Sequence, residues 1–271
     1  MIKRLEKADQ FRVMEIVETI WEGDDYIPRV FEKWVHDPSC YFMGLWKGGR
    51  LIGIDNLRLF SRKVGWMEGM RIDPAFQGRG YGKELGGETL KLAERLGLEK
   101  LYFATYFDNT ASIKMNEAFG FKRIAVFTNL EREIGESTSC SINLLESDEI
   151  PEIDDHISED WMFIPKEVLN KRRFLNNPVK LLDGANWATV SKNSKSKRCL
   201  DINYIEVVDK DSLEYFLKEL VCYAQAKGFV RIHAMASELC DLGPFLSNGF
   251  RPFERTEDVF LYYADVSSLR V

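Results

Sequence analysis

The sequence predicts an α/β protein of the α+β kind, a mixed sheet flanked by helices, followed by a second, plainer version of the same arrangement. Three observations predict it. Gly65–Gly97 reads as a strand, a glycine-dense turn and a helix. Ahead of it, short strand-like runs are separated by turn signals, as in an antiparallel meander. Behind it, Asp201–Tyr263 repeats strand, helix, strand, Gly-Phe and strand.

The chain is 271 residues long, which suits two domains of ordinary size. An acidic stretch, Glu146–Asp155, reads as a solvated linker, so the expected division is 1–147 and 148–271. Apolar residues make up 45%, enough for two cores. The net charge of −6 disfavours nonspecific binding of nucleic acid, which needs a basic surface. No run of 18 apolar residues exists and the first ten residues lack an apolar signal core, so no membrane partner is expected. Five cysteines are scattered without ligand spacing, which fits a reducing, cytoplasmic setting. His36, His156 and His233 lie far apart, so no metal is expected.

Taken in order, Met1–Leu5 is a short strand. Asp9 can cap a helix to about Trp21, with Phe11, Met14, Val17 and Ile20 at helical spacing. Pro28 suits the first turn of a second helix, which Val30, Phe31, Trp34 and Val35 continue to Asp37-Pro38. Cys40–Trp46 and Leu51–Phe60 form a hairpin around Lys47-Gly48-Gly49-Arg50. Gly65–Ile72 follows as a strand and ends at Asp73-Pro74, because proline cannot donate to a ladder. Leu85, Leu92, Ala93 and Leu96 then mark a helix that stops at Gly97. Leu101–Phe107 is the next strand and Asn109–Phe119 the next helix. Arg123–Asn129 and Ser137–Leu145 read as strands split by a charged turn, Glu131–Glu136.

In the second half, Trp161–Ile164 reads as a strand and Pro165–Leu175 as a helix. Asp201–Val208 is strand-like, and Leu213, Phe216, Leu217, Leu220, Val221 and Ala224 make a helical stripe ending at Gly228. Laid on the first half, Ala93 meets Ala224 and Gly97 meets Gly228, while Gly120-Phe121 is echoed by Gly249-Phe250. The glycine turn has no echo. Val208-Asp-Lys-Asp211 leads straight into the helix, and acids at a helix start repel phosphate.

The chemistry is expected at that turn, Gln77-Gly78-Arg79-Gly80-Tyr81-Gly82. Glycines let a ligand approach the backbone, and the unpaired N–H groups of a helix start attract phosphate. Glu84 after Gly82-Lys83 rules out a Walker loop, and no Gly-x-Gly-x-x-Gly fingerprint begins here. The pattern Gln77-x-x-Gly80-x-Gly82 resembles the acyl-CoA pyrophosphate loop of the GNAT acetyltransferases. The run Asn109-x-x-Ser112 with Gly120-Phe121 is similar to a second stretch of that family. Over most of the chain the order of short motifs, among them Asp25-Tyr26-Ile27-Pro28 and Glu68-Gly69-Met70-Arg71, resembles two-domain GNAT proteins of the vertebrate histidine N-acetyltransferase type.

This resemblance implies a GNAT-like first domain and a degenerate GNAT-like second domain that has lost CoA binding. It implies acetyl-CoA as cosubstrate and a primary amine, such as a small amino acid, as acceptor. Gln77, Gly78, Arg79, Gly80, Tyr81, Gly82 and Lys83 would hold the pyrophosphate. The backbone of Met70, Arg71 and Ile72, with Asn109 and Ser112, would hold the pantetheine arm. For Asn109 a helix cap is an alternative that can hold at the same time.

An amine must lose a proton to attack a thioester. Glu68, a lone carboxylate in a row with Trp66, Met70 and Ile72, is the expected base; a salt-bridged Glu is the plain alternative. Gly69 inside the strand suggests a bulge, and the Met70 N–H freed there would polarise the carbonyl. Many family members carry a tyrosine acid where this chain has Asn116. Tyr106 and Tyr102 are the other candidates, with core packing as their alternative. Asp24, Asp25 and Tyr26 lie between the first two helices and would bind a cationic amine, or form a solvated turn. Arg71 or Lys114 would meet a substrate carboxylate. A CoA-binding module without catalysis remains the competing reading, separated from an enzyme by thiol release.

Overall fold

The computed structural model describes residues 1–135, 143–153 and 155–270. It divides into two compact units, Met1–Ile124 with Tyr262–Val271, and Ala125–Leu261. The sequence-based boundary at 147 falls inside the second of these, and the last residues of the chain return to the first.

In the first unit, β1 (Ile2–Arg4), β2 (Cys40–Lys47), β3 (Arg50–Leu59) and β4 (Val64–Ile72) are antiparallel neighbours in that order, and β5 (Lys100–Tyr106) runs parallel to β4. Helices α1 (Gln10–Val17) and α2 (Ile27–His36) cover one face. Val13, Ile16, Phe31 and Trp34 pack there on Phe42 and Ile54. The other face holds α3 (Tyr81–Arg95), whose Leu85 packs on Leu45 and Ile52. Helix α4 (Thr110–Phe119) lies beside α3, where Gly86 leaves room for Met115 and Phe119. Gly120, at φ +108, ends α4 in the left-handed conformation that glycine adopts without penalty. Tyr262 stacks on Phe103 with ring centroids 4.9 Å apart and donates to Glu117 of α4. The expected helix Asp9–Trp21 is shorter in the structure: α1 ends at Val17 and a 3-10 turn, Ile20–Gly23, follows.

The second unit contains most of β6 (Lys122–Glu133), then β7 (Leu145–Ser147), β8 (Ile157–Glu159), β9 (Met162–Ile164), β10 (Val179–Asp183), β11 (Asn186–Lys192), β12 (Cys199–Glu206), α5 (Lys210–Ala226), β13 (Arg231–Ser237), α6 (Gly243–Ser247), β14 (Arg251–Pro252) and the start of β15 (Val259–Asp265). Its sheet runs β7-β10-β11-β12-β13-β6, with β12 and β13 parallel and α5 between them in the chain. Phe216, Leu217 and Leu220 of α5 pack on Val190, Ile202, Ile232 and Ala234.

Several expectations change here. The charged turn expected from Glu131 does not begin there, because β6 runs on to Glu133 and pairs with β13 along that length. The strand expected at Ser137–Leu145 lies almost wholly outside the described residues; β7 begins at Leu145. Pro165–Leu175 is not a helix. Asn170 sits at φ 52, and only Lys171–Phe174 makes a 3-10 turn. The Lys171 ammonium donates to the Lys166 carbonyl, an acceptor that a helix would have used in its own ladder. Among the described residues, Cys40, Cys199 and Cys240 are free thiols. Among the described residues, no helix is long and apolar enough to cross a membrane.

Candidate active site

Strands β4 and β5 pair only at Val64–Trp66 with Lys100–Tyr102. Beyond Trp66 they separate, and a cleft of about 490 Å³ opens between them. Its walls are Met67–Ile72 on one side and Phe103–Thr105 on the other, with Asn109, Ser112, Met115 and Asn116 of the α4 region above. The loop before α3 closes one end.

The cause of the opening lies in β4. Asn56 pairs with Glu68 and Ile54 with Arg71, so Gly69 and Met70 together oppose the single residue Asp55. This is the bulge expected at Gly69. Glycine is required there twice over: φ is +74, and a Cβ would lie 2.8 Å from the Trp34 ring. The bulge also corrects the face assignment. A regular strand would put Glu68, Met70 and Ile72 on one face. The extra residue moves Arg71 onto the face of Glu68, while Met70 points at Gly86 of α3.

The turn before α3 is held from both ends. The Asp73 carboxylate accepts from the Ala75 N–H and pairs with Arg12 and Arg50, and the Gln77 side-chain amide donates to the Ile72 carbonyl at 3.0 Å. Gly78 and Gly80 have φ +73 and +81, and a Cβ on either would meet nothing within 4 Å. Backbone strain, not crowding by the protein, therefore requires glycine here. Gly80 caps α3, whose first ladder bond runs from the Glu84 N–H to the Gly80 carbonyl. The N–H groups of Tyr81, Gly82 and Lys83 precede that ladder, at the positive end of the helix. Gly78, Gly80, Tyr81 and Gly82 line the cleft. Arg79 and Lys83 are exposed beside it and do not line it.

Glu68 lines the cleft on the α1–α2 face. Its Oε1 accepts from Arg58 Nε at 2.9 Å and from Asn56 Nδ2 at 3.1 Å. The salt-bridged alternative therefore holds, and the carboxylate still lies on the cleft wall. Asn109 accepts from the Ser112 N–H at 3.3 Å, so it does cap α4, and both line the cleft. Asn116 is buried there. Its Nδ2 donates to the Ser112 carbonyl at 2.9 Å, and its Oδ1 has no hydrogen-bond partner.

Other expected residues lie elsewhere. Tyr106 is buried at the end of β5 against Phe107, outside the cleft wall, because the strand end turns its ring into packing. Tyr102 packs on Tyr263. Asp24 is exposed and paired with Arg29, so nothing holds it for an amine. Asp25 is buried with both oxygens engaged, one by the Ile27 N–H and one by Arg71 Nε at 2.7 Å. Tyr26 packs edge-on against Trp34. The Asp25–Arg71 pair ties the start of α2 to the strand just past the bulge. Arg71 lines the cleft while paired with Asp25, and Lys114 is exposed outside the wall.

Sequence reading missed Asp55. It lies opposite the bulge, is 1% exposed, lines the cleft and accepts from Thr89 Oγ1 of α3 at 2.7 Å. Burial pushes its carboxyl up to about 7, with the Glu68 charge adding, against the lowering effects of Thr89, the Asn56 N–H and Arg71. The available signal was Asp55-Asn56 between Ile54 and Leu57, polar residues in an otherwise apolar strand. Among the described residues, no group of His, Cys, Asp and Glu gathers to hold a metal.

Residues 8–121 match the acetyltransferase (GNAT) family. The N-alpha-acetyltransferase RimI of Mycobacterium tuberculosis is 30% identical over 129 residues, 46% of this chain and 80% of that protein. A mycothiol acetyltransferase of Geodermatophilus obscurus is 33% identical over 118 residues, 41% of this chain but only 38% of the relative. In structure, a tandem GNAT protein from the clavulanic acid biosynthesis pathway superposes with a TM-score of 0.62 over 98% of both chains, at 12% identity. That likeness speaks to the fold alone.

Proposed function

Because the chain belongs to the GNAT acetyltransferase family, we propose that its first unit moves the acetyl group of acetyl-CoA directly onto a primary amine. The observation that carries this reading is the cleft between β4 and β5, opened by the Gly69–Met70 bulge and ending at the glycine start of α3. The N–H groups of Tyr81, Gly82 and Lys83 bind the pyrophosphate. The free edge of β4 from Met70 to Ile72 takes the pantetheine arm as an added strand, and Asn109 and Ser112 lie across the cleft from it. The bulge aims the Met70 N–H at the carbonyl oxygen as charge develops there. Glu68, held by Arg58 and Asn56, takes the proton from the amine.

The acceptor is an α-amine. A small metabolite, an amino acid above all, is favoured by the resemblance to histidine N-acetyltransferases and by the acidic balance of the chain, which does not suit basic tails. The α-amine of a polypeptide is the second reading, favoured by the RimI relative. Thiol release from acetyl-CoA, measured with the twenty amino acids, polyamines and a mixed peptide library, separates them. Amino-acid turnover with inert peptides supports the first; the reverse supports the second. Binding of CoA with no turnover on any amine would leave only a module without catalysis.

A further inference from the structure

The cleft holds two carboxyl groups in opposite surroundings. Glu68 faces α1 and α2 and is engaged by a guanidinium and an amide. Asp55 shares the other face with Gly53, whose Cβ position points at Leu85 of α3, and its donors are the Thr89 hydroxyl and the Asn56 N–H. Two carboxyls so placed suit two roles, a proton acceptor and a proton donor. The face matters as much as the surroundings. The glycine turn that opens α3 lies on the side of Asp55, so a CoA thiol reaching in from that turn arrives on the Asp55 side. An amine would meet Glu68 from the other.

We propose that Asp55 is the acid that protonates the CoA sulfur as the thioester breaks. The proposal rests on acetyl-CoA occupying this cleft. The amine nitrogen forms a bond to the carbonyl carbon and loses a proton to Glu68. The carbon–sulfur bond breaks, its electron pair goes to sulfur, and the sulfur takes the proton of the Asp55 carboxyl. Asp55 regains a proton from solvent when the products leave. A thiol has an ordinary pKa of about 8.5, so near neutral pH the departing sulfur ends as the protonated thiol, and an acid beside it supplies that proton. Asn116 presents an unpartnered carbonyl oxygen, which accepts and cannot give a proton. Glu68 is held by Arg58, and Tyr81 stands at the start of α3 beside Phe76, with ring centroids 6.4 Å apart. Burial raises Asp55 to about 7, so near neutrality it holds the proton that the step needs. The charged groups acting on it, Glu68 and Arg71, both come from β4; α3 presents the neutral Thr89, and β2 the neutral Met43 opposite.

The test compares wild type, Asp55→Asn and Thr89→Val with acetyl-CoA and the best amine of the panel. Asn keeps the shape of Asp55 and an acceptor for Thr89. Calorimetric CoA affinity should stay within about threefold while kcat falls by roughly a hundredfold or more. Wild-type kcat should decline as pH rises through about 7, since the acid must be protonated, and this decline should vanish in Asp55→Asn. Thr89→Val removes a hydrogen bond that favours the carboxylate, so the decline should move to higher pH. Wild-type kcat and pH profile in Asp55→Asn overturn the proposal, as does an unmoved decline in Thr89→Val. Lost CoA affinity in Asp55→Asn with an unchanged profile overturns it too and assigns Asp55 to structure. An inert wild type fails the acetyltransfer reading instead.

Discussion

The chain contains two parallel strand–helix–strand units, β4–α3–β5 and β12–α5–β13, and they differ where chemistry needs them to. In the first, a glycine in the left-handed conformation caps the helix, and the two strands part after three paired positions. In the second, Asp209 caps the helix with its own carboxylate, accepting from the Ser212 N–H at 2.7 Å, and the strands pair over Cys199–Ile202 with Arg231–Ala234. One helix start is open to an anion, and the other already has one. Both units carry a bulge on the strand before the helix. On β4 it is Gly69–Met70. On β12 it is Asn203, left over between the pairs Val190–Ile202 and Thr189–Tyr204. Gly69 opens a cleft, whereas the Asn203 amide is tied to the Ser158 carbonyl at 2.7 Å under the β8–β9 hairpin. The same framework yields a site in one unit and a filled interior in the other, and small changes at the helix start and the bulge decide which.

The largest effect is expected at the helix start. Gly80→Val forces a branched side chain to φ +81 and places it in the open space where the proposed phosphates would bind. CoA affinity by calorimetry should fall by roughly a hundredfold or more. Wild-type protein should bind one CoA per chain. Two per chain would break the comparison, because α5 would then bind phosphate despite Asp209.

The next effect is catalytic. Glu68→Gln keeps the shape and the Asn56 contact but removes the acceptor for the amine proton. Single-turnover kcat should drop by about a hundredfold with CoA affinity spared. An unchanged rate, with chemistry shown to limit turnover, would make the Glu68–Arg58 pair structural and align it with the buried pairs of the second unit.

Much of the first unit was legible because glycines and periodicity agree there. Gly65–Gly97 announces strand, turn and helix, and Gly69 announces the bulge. Two things were not legible. The consequence of the bulge was one: its extra residue exchanges Met70 and Arg71 between faces, and register cannot be counted through a bulge of unknown width. Pairing was the other. That Asp25 serves Arg71 and Glu68 serves Arg58 depends on which residues β3, β4 and the turn before α2 bring together. In the second unit β10 and β11 went unread. The second face of that sheet is polar yet buried, with Thr189 and Ser191 on β11 and Asp201 on β12, so its strands lack the apolar signal of a sheet covered on both sides.

That buried polar face carries the smallest prediction, one of stability. Ser191, Asp201, His233 and Glu131 sit side by side on β11, β12, β13 and β6. His233 is 3% exposed, and its Nδ1 lies 3.1 Å from Asp201 Oδ1, which also accepts from Asn193. Burial alone would lower the imidazole, but the bond and charge of Asp201, with Asp160 and Glu131 adding, raise it to about 8. A folded-state value above the ordinary 6.5 means that the folded protein holds its proton longer. The stabilisation is complete below about 6.5 and is lost as pH rises through about 8. Glu159, which burial raises to about 7, loses its contribution in a lower window, between its ordinary value and about 7. The melting temperature should fall as pH rises through about 8, and His233→Gln should remove that fall. CoA affinity should not follow it. A CoA affinity that tracked His233 would mean that the second unit's buried charges serve the cleft, and the division between a reactive unit and a filled one would fail.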